Sequence, residues 1–343
     1  MKKLLITLII TPYFILSQEI TTETISHDGL DRSYILYIPT SYSESNPVPL
    51  VLNLHGYSSN AGQQMIYSNF HAIADNEGFI LIHPQGTIND LGFQFWNTGD
   101  ISSVDDVGFL SALIDTIVFE YNINTSRVYS MGMSNGGFMS YQLACQLSDK
   151  ITAIASVTGS MTTNQITSCS PEHPVPVMQI HGTADLTVPY DGNNFGGISS
   201  VDNVLEYWTN FNMCDVNPII NSIPDINLLD LCSTEHYVYA NGDNGSSVEL
   251  YKIINGGHTW PGAAIPLVGN NTNQDFSASQ KIWEFFNQYD INGLINTNVN
   301  IKEEDQRKTV RETINILGQR SKKTNLYIHL YDDGSAEKKY LIK

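Results

Sequence analysis

The chain has 343 residues, 41% of them hydrophobic, and a formal net charge of −18. That length suffices for one large domain plus an appendage. Residues 1–300 carry seven Lys and Arg against 28 Asp and Glu, and so acidic a body repels nucleic acid and anionic lipid, which speaks against partners of either kind.

Residues 1–17 read as a secretory signal peptide. Lys2 and Lys3 give a positive start, Leu4 to Leu16 a short apolar stretch, and Ser17-Gln18 a cleavage point without a lipid-accepting cysteine. The stretch is short for a membrane span and no other run is long and apolar enough, so stable membrane insertion is not expected. Export makes Cys145, Cys169, Cys214 and Cys232 candidates for disulfides. Four cysteines allow three pairings, and the local one joins Cys145 to Cys169 and Cys214 to Cys232.

Ser33–Ile38 reads as a strand ended by Pro39, Leu50–Leu54 as a buried strand running into His55-Gly56, and Phe79–Ile82 as another ending at His83-Pro84. Ile66 to Asn76 has helical spacing. Ser103 to Asp106 resembles a capping box ahead of a helix with Val107, Leu110, Leu113, Ile114, Ile117 and Val118 on one face, which leaves Asp105 and Asp106 a sufficient role as first-turn carboxylates. Next come a strand at Arg127–Met131, a sharp turn, a helix from Gly136 to Leu147, and strands at Ile151–Val157 and Val175–Ile180. A helix at Val204–Phe211, a strand at Val248–Ile254 and a helix at Ser277–Tyr289 complete the core. Strands alternating with helices imply an α/β fold, a mostly parallel sheet with helices on both faces.

The pattern changes after Tyr289. Asn-rich 291–300 reads as a linker between a catalytic domain, 18–290, and a tail, 301–343, that holds ten Lys and Arg against seven Asp and Glu. In the tail, β-like Leu326–Tyr331 and Lys339–Ile342 flank Asp333-Gly334, a hairpin signal.

The sharpest motif is Gly132-Met-Ser-Asn-Gly136, a G-x-S-x-G that follows a strand and opens a helix, as a nucleophile elbow requires. Ser134 is the candidate nucleophile, and the Asn135 N–H at the helix start can face an oxyanion. Such a serine needs an acid and a base, which follow in the order Ser, Asp, His at the ends of later strands. Asp185 in His181-Gly-Thr-Ala-Asp185 and His258 in Asn255-Gly-Gly-His258 fit that order; Asp191 and Asp202 are rival acids further from a strand end. His55 and His83 precede the serine and His181 precedes the acid, where it would order its loop. The second oxyanion donor is expected from Tyr57 N–H, with Gly56 allowing close approach. Neither an HExxH, a P-loop nor a dinucleotide fingerprint occurs, so no metal and no cofactor are expected.

In order along the chain, "LHGYSSN", "FWNTGD", "VDDVGFLSALID", "GMSNGG", "VPVMQIHGTADLTVPY" and "GGHTWPG" resemble blocks of the secreted α/β-hydrolases of the polyhydroxybutyrate depolymerase-like and feruloyl esterase-like type. The resemblance covers about residues 25–290 and implies the α/β-hydrolase fold and a triad of Ser134, Asp185 and His258. It also supports the disulfides Cys145–Cys169 and Cys214–Cys232, and makes Trp96 and Trp260 candidate walls of a substrate cleft. The segment from Ile314 to Lys343 resembles the sorting signals of type IX secretion cargo, which implies a partner in the secretion machinery and a destination outside the cell or on its surface.

The expected activity is that of a serine carboxylic ester hydrolase on feruloyl or acetyl esters of plant polysaccharide. Polyhydroxyalkanoate or its oligomers are the alternative substrate, and a peptidase ranks third because no gating propeller domain is present. A catalytically silent surface binding protein is the alternative of another class, against which the three triad candidates argue.

Overall fold

The structure is a computed structural model that describes residues 19–99, 102–193, 196–265 and 271–295, together with the backbone of three strands between 310 and 340. The expected signal peptide and most of the tail's matching motif lie outside the described residues. The chain divides into two compact units, residues 1–295 and 296–343.

The first unit begins with an antiparallel hairpin of β1 (Glu19–His27) and β2 (Leu30–Ile38). Strand β3 (Val48–Leu54) leads to helices α1 (Ala61–Ser68) and α2 (His71–Glu77), and β4 (Ile80–Pro84) to a small hairpin of β5 (Thr87–Ile88) and β6 (Gln94–Phe95). There follow α3 (Asp106–Glu120), β7 (Ile123–Met133), α4 (Asn135–Gln146), β8 (Ala153–Val157), α5 (Thr163–Ser168) and β9 (Val177–Gly182). Helix α6 (Val201–Phe211), strands β10 (Ile219–Ile223), β11 (Ser233–Tyr239) and β12 (Val248–Ile254), helix α7 (Ala278–Phe286) and a short hairpin of β13 (Tyr289–Asp290) and β14 (Gly293–Leu294) complete the unit. That hairpin occupies the start of the Asn-rich segment expected to be linker.

Ten strands form one sheet in the order β1-β2-β4-β3-β7-β8-β9-β12-β11-β10. The six from β4 to β12 run parallel, and antiparallel pairs close both edges. Strand β3 shows why the sequence folds this way. All seven of its residues are buried; Leu50, Leu52 and Leu54 join a core with α3, α4 and α6, while Val51 joins one with α2 and α7. A strand covered on both faces reads as a continuous apolar run, and alternation sends successive side chains to opposite cores.

Two expected details differ locally. The helical stretch at 66–76 is broken where Asn69 takes φ 47, ψ 48 and caps α1, so α2 starts afresh at His71. The residue capping α3 is Asp105, whose carboxylate accepts from Gly108 N–H at 2.8 Å; Ser103 lies too early for that bond.

The expected pair Cys214–Cys232 is not a disulfide: both are free thiols. Asp215 N–H donates to Ala240 O, which puts Cys214 past one end of β11, whereas Cys232 directly precedes Ser233 at the other. Seven strand residues span roughly 20 Å at about 3.3 Å each, far beyond the ~7 Å Cα separation a disulfide tolerates. The two also belong to opposite cores. Cys145–Cys169 is formed and closes a 24-residue separation between α4 and the end of α5. Unreduced, denatured protein should therefore titrate two thiols with a chromogenic disulfide reagent, and four after reduction. Replacing Cys145 and Cys169 by serine should cost about 3 kcal/mol, read as a lower melting temperature.

In the second unit, β15 (Val310–Ile314), β16 (Leu326–Tyr331) and β17 (Ala336–Tyr340) form a three-stranded antiparallel sheet. The β16–β17 pair is the expected hairpin, with its second strand starting three residues early.

Candidate active site

The carboxyl ends of β7, β9 and β12 point to one edge of the sheet because these strands lie parallel. At the end of β7, Ser134 sits at φ 54, ψ −120, a conformation costly for any side chain. Hydrogen bonds on both sides hold it: its N–H donates to Val157 O at 2.8 Å, and its carbonyl accepts from Phe138 N–H at 3.0 Å. The two flanking glycines are needed for closeness rather than for φ. A Cβ on Gly132 would collide with the backbone of Gly136, and one on Gly136 with the carbonyl of Leu54. The elbow is thus pressed against α4 and β3 with no room for a methyl group.

Past β9, Asp185 is buried; its Oδ1 accepts from the N–H groups of Thr187 and Val188 at 2.8 and 2.9 Å. Its Oδ2 lies 2.7 Å from Nδ1 of His258, which follows β12 and keeps about 12% of its side chain exposed. Burial alone would raise the Asp185 carboxyl, but the hydrogen bond and charge of His258 and the Val188 N–H bring it below its ordinary range. His181 lies 3.5 Å from the same Oδ2 and is fully buried. Its Nδ1 accepts from Gln179 and its Nε2 donates to Val188 O, an arrangement that fits the neutral imidazole. Burial lowers its pKa accordingly. His181 therefore fixes the Asp185 loop.

The loop after β3 lies against the elbow: a Cβ on Gly56 would stand 3.4 Å from the Ser134 Cβ and 4.0 Å from its Oγ. His55 locks this loop from below. Its Nδ1 donates to Gly56 O at 2.8 Å, and its Nε2 accepts from Gly86 N–H at 2.9 Å and Gln85 Nε2 at 3.1 Å. Asn135 is locked as well, its side-chain amide pairing with both the N–H and the carbonyl of Trp96 at 2.6 and 3.0 Å. Next along the chain, Asn97 N–H donates to the buried Asp106 at 2.7 Å, and Asp106 pairs with the buried Arg32 at 2.5 Å. The Arg32 guanidinium also lies 3.9 Å over the Phe109 ring and reaches Gln85 O at 3.3 Å.

Burial lowers the pKa of His55 to about 4 and that of His83 to about 3. The unfolded chain protonates these groups near pH 6.5, where the folded protein still refuses the proton. Stability should therefore be fully present above about pH 6.5 and fall as the pH drops toward 4. The His55 share is on the order of 3 kcal/mol, measurable as a declining denaturation midpoint across that range.

Residues 32–182 match the family model described as Esterase PHB depolymerase. Feruloyl esterase B of Piromyces equi is 30% identical over 241 residues, covering 66% of this chain and 42% of that protein. The bifunctional acetylxylan esterase/xylanase XynS20E of Neocallimastix patriciarum is 27% identical over 273 residues, covering 79% of this chain and 35% of that protein. The chain thus spans less than half the length of either relative. An acetyl xylan esterase structure from Aspergillus awamori superposes with a TM-score of 0.56 at 13% identity, over 78% of this chain and 99% of that one. The chain has the α/β-hydrolase fold.

Within that α/β-hydrolase frame, two expected residues are misplaced. Trp96 and Trp260 are not cleft walls: both are buried, with 0% and 1% exposure. Trp96 donates from Nε1 to His55 O and so joins the Gly56 loop to the elbow, while Trp260 donates from Nε1 to Ser279 Oγ at the start of α7. The sequence gives Asp106 its place in the first turn of α3, where it lies, but not its ion pair with Arg32. Their pairing joins β2 to α3 across 74 residues, and no local pattern signals a contact of that span. Tyr57 is the aromatic residue exposed beside the elbow, and Phe93 stands next to it. An apolar cluster of Phe93, Leu91 and Ile88 around a Gly turn was the signal available for them in the sequence.

Proposed function

We propose that the protein is a serine carboxylic ester hydrolase working through a triad of Ser134, Asp185 and His258. The observation that carries this reading is the short Asp185–His258 hydrogen bond at the sheet edge to which β7 delivers Ser134 in its strained turn. Ser134 Oγ attacks the ester carbonyl carbon as its proton passes to Nε2 of His258. Asp185, bonded to Nδ1, orients the ring and stabilises the imidazolium. The N–H groups of Tyr57 and Asn135 hold the oxyanion, each contributing about 3 kcal/mol to lowering the barrier. The tetrahedral intermediate collapses, the C–O bond to the alcohol breaks, and His258 returns the proton to the leaving oxygen. Water then attacks the acyl-serine with His258 as base, releasing the carboxylic acid and restoring Ser134.

The proposed substrates are feruloyl or acetyl esters on plant polysaccharide, in line with the names of the two relatives above. The matched family description supports hydroxyalkanoate esters as a second reading. Purified protein assayed on methyl ferulate, acetylated xylan and hydroxybutyrate oligomers should favour the first two; preference for the oligomers selects the second reading, and inactivity on every ester refutes the enzyme reading. We further propose that residues 1–17 direct export and that 301–343 serve as a secretion tail. Among the described residues no helix is long and apolar enough to cross a membrane. Deleting 301–343 should leave the product inside the cell envelope, as judged by fractionation.

A further inference from the structure

We propose that the exposed rings of Tyr57 and Phe93, with Leu91 in the same turn as Phe93, form a platform that binds the ring of an aromatic acyl group, so that the enzyme selects aromatic over acetyl esters. This rests on the ester hydrolase reading above and specifies its substrate. Tyr57 and Phe93 are 45% and 46% exposed, and Leu91 is 77% exposed. The Tyr57 and Phe93 ring centroids lie 5.6 Å apart at 43°. Position ties this surface to the chemistry: Tyr57 directly follows Gly56, whose Cβ would lie 4.0 Å from Ser134 Oγ.

Hydrogen bonds tie the platform together before anything binds. Asn89 donates from its side chain to the Tyr57 hydroxyl at 2.9 Å and accepts from the N–H groups of Leu91 and Phe93, both at 3.0 Å. Ser58 N–H donates to Gln94 O at 2.8 Å, fastening the Gly56 loop to β6. A surface already ordered loses little entropy on binding. Its chemistry separates a flat ring from a sugar. Leu91 and Phe93 present only carbon, and the Asn89 carbonyl is spent on two internal bonds. A sugar would bury hydroxyls without partners, whereas an aromatic ring requires an apolar face and stacks at tilted angles. The Tyr57 hydroxyl, which accepts from Asn89, retains its own proton for one oxygen on the ring.

The test compares p-nitrophenyl ferulate with p-nitrophenyl acetate, which share a leaving group, on the full chain and on its Phe93→Ser and Phe93→Tyr variants. Phe93 is half exposed, so the variants should keep the parent melting temperature. In Phe93→Ser the ferulate/acetate ratio of kcat/KM should fall about ten-fold or more, the loss expected when a ring loses half its apolar contact, and Phe93→Tyr should restore it. An unchanged ratio overturns the platform. So does a selective loss on acetylated xylan, which would assign the surface to sugar. Parent protein active on acetate but not ferulate overturns the platform and leaves the hydrolase reading standing; inactivity on both esters overturns the two together.

Discussion

Ser134→Ala is expected to lower kcat/KM for p-nitrophenyl acetate at least 10⁴-fold, on the order of the losses seen when a triad nucleophile is removed. The residual rate would come from the Tyr57 and Asn135 N–H groups, which a side-chain deletion leaves in place. Stability should hardly change. Ser134 holds a positive φ that the fold imposes, so alanine gains nothing there, but loss of the polar side chain relieves no other packing and the melting temperature should stay within a few degrees. Burst kinetics sharpen the result: parent protein mixed with excess p-nitrophenyl ester should release up to one equivalent of nitrophenol rapidly, and the variant none. A variant retaining a tenth of parent activity would remove Ser134 from the role of nucleophile.

The second large effect is expected far from the reacting atoms. Arg32→Met would leave the Asp106 carboxylate buried without its cation. Burial already pushes that carboxyl above its ordinary pKa against the pull of Arg32, so the variant should destabilise by about 3–5 kcal/mol, a drop of roughly 10 °C in melting temperature. The loss should be greater at pH 8 than at pH 5, because an unpaired Asp106 must be charged at the higher value. Arg32→Met combined with Asp106→Leu should recover most of it, since a buried pair replaced by apolar side chains of similar volume is often near neutral. Activity should fall with the single change as well. Asp106 holds Asn97, and Asn97 adjoins the Trp96 backbone to which the Asn135 amide is pinned. Single variants that melt within 2 °C of the parent would show that the pair contributes nothing.

What the sequence reveals here follows the range of its signals. The strand–turn–helix around Ser134 is local, and so are the turns after β9 and β12; each is legible because Gly punctuation and apolar runs sit side by side. Strand β1 alternates exposed with half-buried residues, and β10 is almost wholly exposed. Edge strands of that kind carry too weak an apolar period to stand out. Strand β11 mixes Glu235 and His236 into its run, the latter paired with Glu249 on β12 at 2.7 Å, so its character depends on a neighbour. The two tryptophans depart from expectation for a related reason. A tryptophan beside a functional turn serves equally well as scaffold or as surface, and only burial distinguishes the two. The cysteines failed on distance, because spacing along the chain does not say that a strand runs its full length between them.

The position of β12 has a consequence for how the protein reaches its working state. It is the last strand of the sheet in chain order and pairs with β9, so His258 reaches Asp185 only once the C-terminal β10–β12 segment has docked on β9. Ser134 and its turn need only β7, α4 and the strands beside them. Closing so long a stretch of chain is entropically slow relative to local pairing. On dilution from denaturant, strand signal should therefore return before turnover does, and the lag between them times the docking of this edge segment on β9.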